Sequence, residues 1–173
     1  MIQGNKSAID RVMDLSALGI AFKSRPTVFG GLAMEYYGLR KHGEDIDLFV
    51  SNEDYQNLAR KYPDCKKDRW GDLGLLIGKY EVWRSVARLD YAFYSDGAIE
   101  YEHYKVLSFE KLFFMKAIAY ENEPEIPKHA DDFRLAINHC YELFRNKEYV
   151  AYGMKHTQSY LAAPQGIVYN DRY

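Results

Sequence analysis

No stretch of this 173-residue chain contains the roughly 20 consecutive apolar residues needed to span a bilayer. The opening run Met1-Ile2-Gln3-Gly4-Asn5-Lys6 also lacks the apolar core of a secretion signal, so a cytoplasmic setting without membrane attachment is expected. Cysteine is scarce. Cys65 and Cys140 stand far apart with no Cys-x-x-Cys pattern, which argues against a disulfide framework or zinc ribbon and fits free thiols in a reducing compartment. His42, His103, His129, His139 and His156 show no metal-ligand spacing either. Neither sign of charge prevails: 23 Lys and Arg against 25 Asp and Glu leave a net charge of −2, so a globally basic nucleic-acid binder is excluded. The small basic run Lys66-Lys67-Asp68-Arg69 reads as a solvated loop. Internal repeats and low-complexity segments are missing, and with 47% hydrophobic residues so is the composition of a disordered chain. Tyrosine, by contrast, is abundant. Its amphipathic ring suits interfaces and points to a protein partner or a homo-oligomer.

The most informative run begins Val28-Phe29-Gly30-Gly31-Leu32-Ala33-Met34-Glu35-Tyr36-Tyr37 and continues to Asp45-Ile46-Asp47-Leu48-Phe49-Val50. An apolar strand enters a glycine turn, a helix follows, and a second strand carries two carboxylates at i and i+2. Alternate strand residues share a face, so Asp45 and Asp47 point one way while Ile46 and Leu48 enter a core. Their Cα atoms are expected about 6.6 Å apart, close enough for their side chains to converge on hard cations, which prefer oxygen ligands. Glycines let a phosphate approach the backbone, and a following helix favours anions at its start. A phosphate cradle beside a metal-binding acid pair is what a nucleoside triphosphate needs.

Phe29-Gly30-Gly31 and Asp45-Ile46-Asp47-Leu48, with the intervening spacer, resemble the signature of the nucleotidyltransferase superfamily, whose palm-like fold is shared by DNA polymerase beta. The resemblance implies a minimal α+β palm: a mixed β-sheet flanked by helices, followed by a C-terminal helical segment. It implies Mg²⁺, or Mn²⁺, held by Asp45, Asp47 and a third carboxylate on a later strand. Asp90 in Ala87-Arg88-Leu89-Asp90-Tyr91-Ala92-Phe93 fills that place, since Leu89, Tyr91 and Phe93 alternate to the other face. It further implies transfer of a nucleoside monophosphate to an acceptor hydroxyl on an RNA end, a protein or a small molecule.

A narrower resemblance lies in Val106-Leu107-Ser108-Phe109-Glu110-Lys111-Leu112-Phe113-Phe114-Met115-Lys116-Ala117 and in Lys128-His129-Ala130-Asp131, with Asp132 adjacent. These are similar to segments of the abortive-infection class of nucleotidyltransferase toxins, which implies nucleotide-binding roles for Lys116, Lys128 and Asp131 beside Gly30 and Gly31, and a place in a toxin–antitoxin or phage-defence system. Lys41-His42-Gly43 departs from the Arg-x-Thr that many of those toxins carry. A catalytically silent nucleotide-binding or interaction module of the same fold is the alternative.

The rest of the pattern sets the organisation. Helices are expected over Asn5–Leu18, Glu53–Lys61, Phe109–Tyr120, Lys128–Phe144 and Lys147–Leu161. Strands are expected over Thr27–Phe29, Asp45–Val50, Leu73–Trp83, Ala87–Tyr94 and Glu100–Val106. This divides the chain into an α/β core over 1–106, a helical segment over 107–163 packed on it, and a tail over 164–173.

Overall fold

The computed structural model describes residues 4–69 and 71–145, so the expected helix over Lys147–Leu161 and the tail lie outside the described residues. The chain is α+β. Its mixed seven-stranded sheet runs in the order β3-β4-β5-β2-β1-β9-β8. Those strands are β1 (Thr27–Val28), β2 (Ile46–Phe49), β3 (Lys66–Arg69), β4 (Asp72–Ile77), β5 (Tyr80–Trp83), β8 (Ile99–Glu100) and β9 (Lys105–Val106). A separate two-stranded ribbon pairs β6 (Ser85–Val86) with β7 (Leu89–Asp90).

Six helices complete the described chain: α1 (Lys6–Asp10), α2 (Gly30–Tyr36), α3 (Asn52–Lys61), α4 (Tyr91–Ser95), α5 (Phe109–Asn122) and α6 (Pro127–Phe144). Among them α5 and α6 pack side by side, and α5 also touches α2.

The centre of the sheet is apolar because β1 and β2 bury nearly every side chain. Val28, Ile46, Leu48 and Phe49 are essentially inaccessible, and Phe29 stacks on Phe49 with ring centroids 4.1 Å apart. β2 pairs antiparallel with β1 on one side and parallel with β5 on the other, where Asp47 lies opposite Glu81. β1 in turn pairs parallel with β9, matching Thr27 to Lys105 and Val28 to Val106. Ser51 caps α3 by accepting the Asp54 amide, and the buried Asp54 carboxylate accepts the Ser51 hydroxyl and the amides of Lys23 and Ser24. One short acidic helix start thus anchors the loop that leads into β1.

Five expectations from the sequence need correction. Glu100–Val106 is not one strand but the antiparallel hairpin β8–β9. The stretch Asn5–Leu18 is not one helix: α1 stops at Asp10, and a 3-10 turn over Leu15–Leu18 follows, with Asp14 accepting the Ser16 amide. The apolar stretch Leu73–Trp83 folds back on itself at Gly78, whose φ of +59° suits a tight turn, and becomes the hairpin β4–β5. Lys66–Arg69, expected in a loop, forms the edge strand β3, whose four charged side chains are largely solvated. Ala87–Tyr94 is not a strand. Ala87 and Arg88 adopt positive φ, 52° and 59°, closing the β6–β7 ribbon, and the chain then turns into α4.

Candidate active site

The site begins with a close approach between the glycine turn and β2. The Phe29 amide donates to the Asp47 carbonyl at 3.1 Å, so the turn after β1 sits directly against the acidic strand. Gly30 has φ +60°, and a Cβ built there would lie 1.8 Å from Asp47 Oδ2. Glycine is therefore required twice, by the left-handed backbone and by the carboxylate that occupies the side-chain position. The Gly31 amide donates to the same carboxylate. In this arrangement the glycine turn cradles Asp47.

Asp45 stands just before β2, and a Cβ at Gly43 would lie 2.9 Å from its Oδ1. Asp47 keeps part of its surface open, yet protein surrounds it on nearly all sides. Burial, then the charges of Asp45 and Glu81, push its carboxyl from 3.8 up to about 6. The Lys116 ammonium and the Gly31 amide pull in the other direction. Three carboxylates thus share one region, and the middle one carries a charge that its surroundings only partly compensate.

The third carboxylate beside Asp47 on the sheet is Glu81, and not Asp90. Parallel pairing of β2 with β5 puts Asp47 and Glu81 opposite each other on the same face, and Glu81 also accepts from Lys67 Nζ at 3.0 Å. Asp90 lies in the separate ribbon opposite Ser85, and its Oδ1 accepts the Phe93 amide at 3.1 Å as the N-cap of α4. The sequence signal for Glu81 is the one that marks Asp47: an acid flanked by buried residues in a short strand, Tyr80-Glu81-Val82-Trp83.

The helical segment contributes cations. Lys116 of α5 and Arg40, from the loop after α2, converge on Asp132 of α6. Arg40 Nε donates to Asp132 Oδ1 at 2.5 Å and Arg40 Nη2 to Oδ2 at 2.8 Å, while Lys116 Nζ donates to Oδ2 at 2.6 Å. Burial works against the charge of Asp132, yet the Arg40 and Lys116 contacts hold its carboxyl below the usual carboxylate range. Lys116 is therefore brought to the acids as expected of a cation there, whereas Lys128 and Asp131 are not. Lys128 is exposed on the first turn of α6, and Asp131 is exposed and pairs with Arg134 three residues on. A shift of one residue along α6 turns Asp132 inward in place of Asp131.

Asp45, Asp47 and Glu81 suit a divalent cation in donor chemistry, since all three offer carboxylate oxygens and hard ions prefer oxygen. The raised pKa of Asp47 is the sign that positive charge is wanted there. Among the described residues no three His, Cys, Asp or Glu side chains are closed into a ligand set. No helix among the described residues is long and apolar enough to cross a membrane.

No family model and no curated protein matches the chain. Among solved structures, the crystal structure of ANT(2")-Ia in complex with adenylyl-2"-tobramycin superposes with a TM-score of 0.47 at 15% identity, over 87% of this chain and 93% of that one.

Proposed function

We propose that this chain is a nucleotidyltransferase that moves a nucleoside monophosphate from a nucleoside triphosphate to an acceptor hydroxyl. One observation carries the reading: Asp47, crowded by Asp45 and Glu81, lies against Gly30, where the turn admits no side chain, with Lys116 close enough to offset its charge. Carboxylates clustered against a glycine turn and faced by a cation suit a metal-bound polyphosphate better than they suit stability, since like charges in a partly dry site disfavour one another.

Asp45, Asp47 and Glu81 would hold Mg²⁺ or Mn²⁺, which supplies charge neutralisation on the phosphates and a more acidic acceptor hydroxyl. The residues do the rest by positioning. The Gly30-Gly31 turn keeps side chains away from the phosphates, and Lys116 counters their charge. The acceptor oxygen bonds to the α-phosphorus as the bond to the β-phosphate oxygen breaks. Pyrophosphate leaves, and the hydroxyl proton passes to a carboxylate of the cluster. Most of the rate in such a transfer comes from in-line placement and charge stabilisation.

The deciding experiment incubates the full chain with each α-labelled triphosphate and Mg²⁺ or Mn²⁺, offering RNA, protein extract and small hydroxylated compounds as acceptors. Label on one acceptor class with stoichiometric pyrophosphate is the expected result, and it also identifies the acceptor. Label on RNA would suit a toxin of a toxin–antitoxin pair. No pyrophosphate from any triphosphate would defeat the transfer reading. A second reading, a nucleotide-binding module without transfer, is favoured by the unclosed ligand set. Triphosphate binding without pyrophosphate release would select it.

A further inference from the structure

Arg40, Lys116 and Asp132 form an ion cluster that transfer chemistry alone does not require. Asp132 is 1% exposed, and both of its oxygens are engaged, one by Arg40 and the other by Arg40 and Lys116 together. Its two cations are more open, Arg40 at 23% and Lys116 at 12%, so an incoming anion meets the cations before the acid. Both also look toward the acid pair: Lys116 lowers the cost of the charge on Asp47, and Arg40 senses Asp45 and Asp47. The guanidinium lies along the glycine turn, where a Cβ on Gly31 would sit 3.6 Å from Nη1 and 3.8 Å from Nη2. Two cations share the one carboxylate of Asp132, which leaves one positive charge that Asp132 does not match and that Asp45 and Asp47 face. A guanidinium fork plus an ammonium on two oxygens of one group is also the geometry that recognises phosphate.

We propose that Asp132 is an internal stand-in for a substrate phosphate. It holds Arg40 and Lys116 in register while the site is empty and yields part of their hydrogen bonding to the polyphosphate end of a nucleotide. Arg40 is then a phosphate-recognising residue, and Asp132 sets how tightly polyphosphate binds. The class of ligand rests on the nucleotidyltransferase reading; the competition between Asp132 and an external anion rests on the ion cluster itself. A buried cation that loses its partner is costly, so removing the Asp132 charge should draw an anion into the site.

The test titrates inorganic tripolyphosphate, in chelator and without metal, into the full chain by calorimetry, with the fold followed by circular dichroism. Asp132→Asn should bind about tenfold tighter than the wild type, and Arg40→Gln about tenfold weaker, the scale of one charge-assisted hydrogen bond. Arg40→Lys should fall between Arg40→Gln and the wild type, because it keeps the charge and loses the fork. An Asp132→Asn protein that is folded but binds no tighter than the wild type overturns the proposal, as does an Arg40→Gln protein of unchanged affinity. Should Asp132→Asn fail to fold, the two Arg40 variants decide alone. Tripolyphosphate binding that follows this pattern in a chain that releases no pyrophosphate sinks the transfer reading and leaves this one standing. Absence of tripolyphosphate binding in both the wild type and Asp132→Asn sinks this one and leaves transfer to its own assay.

Discussion

Asp47 occupies the space that a side chain on residue 30 would fill: its Oδ2 lies 1.8 Å from where a Cβ of Gly30 would stand. Gly31, the next residue, has no such neighbour, with the nearest atoms 3.6 Å from its would-be Cβ. The two glycines of the motif are therefore inequivalent.

Gly30→Ala should be destabilised by about 2–4 kcal/mol in urea titration, from a left-handed backbone plus a displaced carboxylate, and should lose transfer. Gly31→Ala keeps the amide that serves Asp47 and should stay near wild-type stability. Equal effects of the two substitutions would contradict the geometry.

Asp47→Asn tests the raised pKa. The folded carboxyl titrates at about 6 against an ordinary 3.8, so protonation is favoured in the native state. That stabilisation is complete below about pH 4 and is lost as pH rises through 6. At pH 7.5 the neutral amide should therefore make the metal-free protein more stable, by on the order of 2 kcal/mol at one pKa unit per about 1.4 kcal/mol, with discount for the open part of the side chain. The advantage should vanish near pH 4. Melting curves of both proteins across this range check it, and transfer by the variant should be abolished.

Glu81→Gln should reduce transfer by at least ~100-fold, since the loss of a carboxylate that would hold the metal should be no smaller than that of a supporting group. Asp90→Ala should cost about 1 kcal/mol, the value of a helix N-cap, and leave the rate unchanged. The reverse outcome would restore Asp90 to the site in place of Glu81.

Mg²⁺ and a triphosphate together should raise the melting midpoint more than either alone, because each completes the other's ligands. At a hundred times the dissociation constant the gain is about 2.7 kcal/mol. An unchanged midpoint with all four triphosphates would count against any nucleotide site.

His139 packs edge-on against Phe109, centroids 4.6 Å apart, and burial lowers its pKa from 6.5. The native state favours the neutral ring, so stability is full above pH 6.5 and falls as pH drops below it. His139→Leu should flatten that acid limb in a pH series of urea midpoints.

The acid pair and the glycine turn were legible because both halves sit in strands whose alternation is strong, with Ile46 and Leu48 buried on either side of Asp47. Glu81 was hidden by a misread turn. Leu73–Trp83 is rich in apolar residues at both ends, and only the short Gly78-Lys79 break marks where the chain reverses and brings Glu81 back beside Asp47. The false strand around Asp90 has a different cause: Ala87 and Arg88 make a left-handed turn that their residue types do not announce. The sequence could not choose between Asp131 and the adjacent Asp132, because helix phase depends on which face α5 offers, and α5 is largely apolar. Arg40 could not be found from local pattern, since its partner lies on α6.

The pairing of β1 with β9 bears on the order in which the molecule can be made. β1 lies inside the sheet between β2 and β9, so one of its two neighbours consists of residues 105 and 106, far along the chain. Until those residues have left the ribosome, Thr27 and Val28 have an unpaired backbone edge with the apolar face of β2 already beside it. A chain cut short before Leu107 would therefore offer that edge to other chains, and one cut before Asp132 would close its sheet but leave Arg40 and Lys116 without their acid. Long-range closure also slows folding, so a slow refolding phase that is lost on truncation at residue 104 is the kinetic mark of this topology.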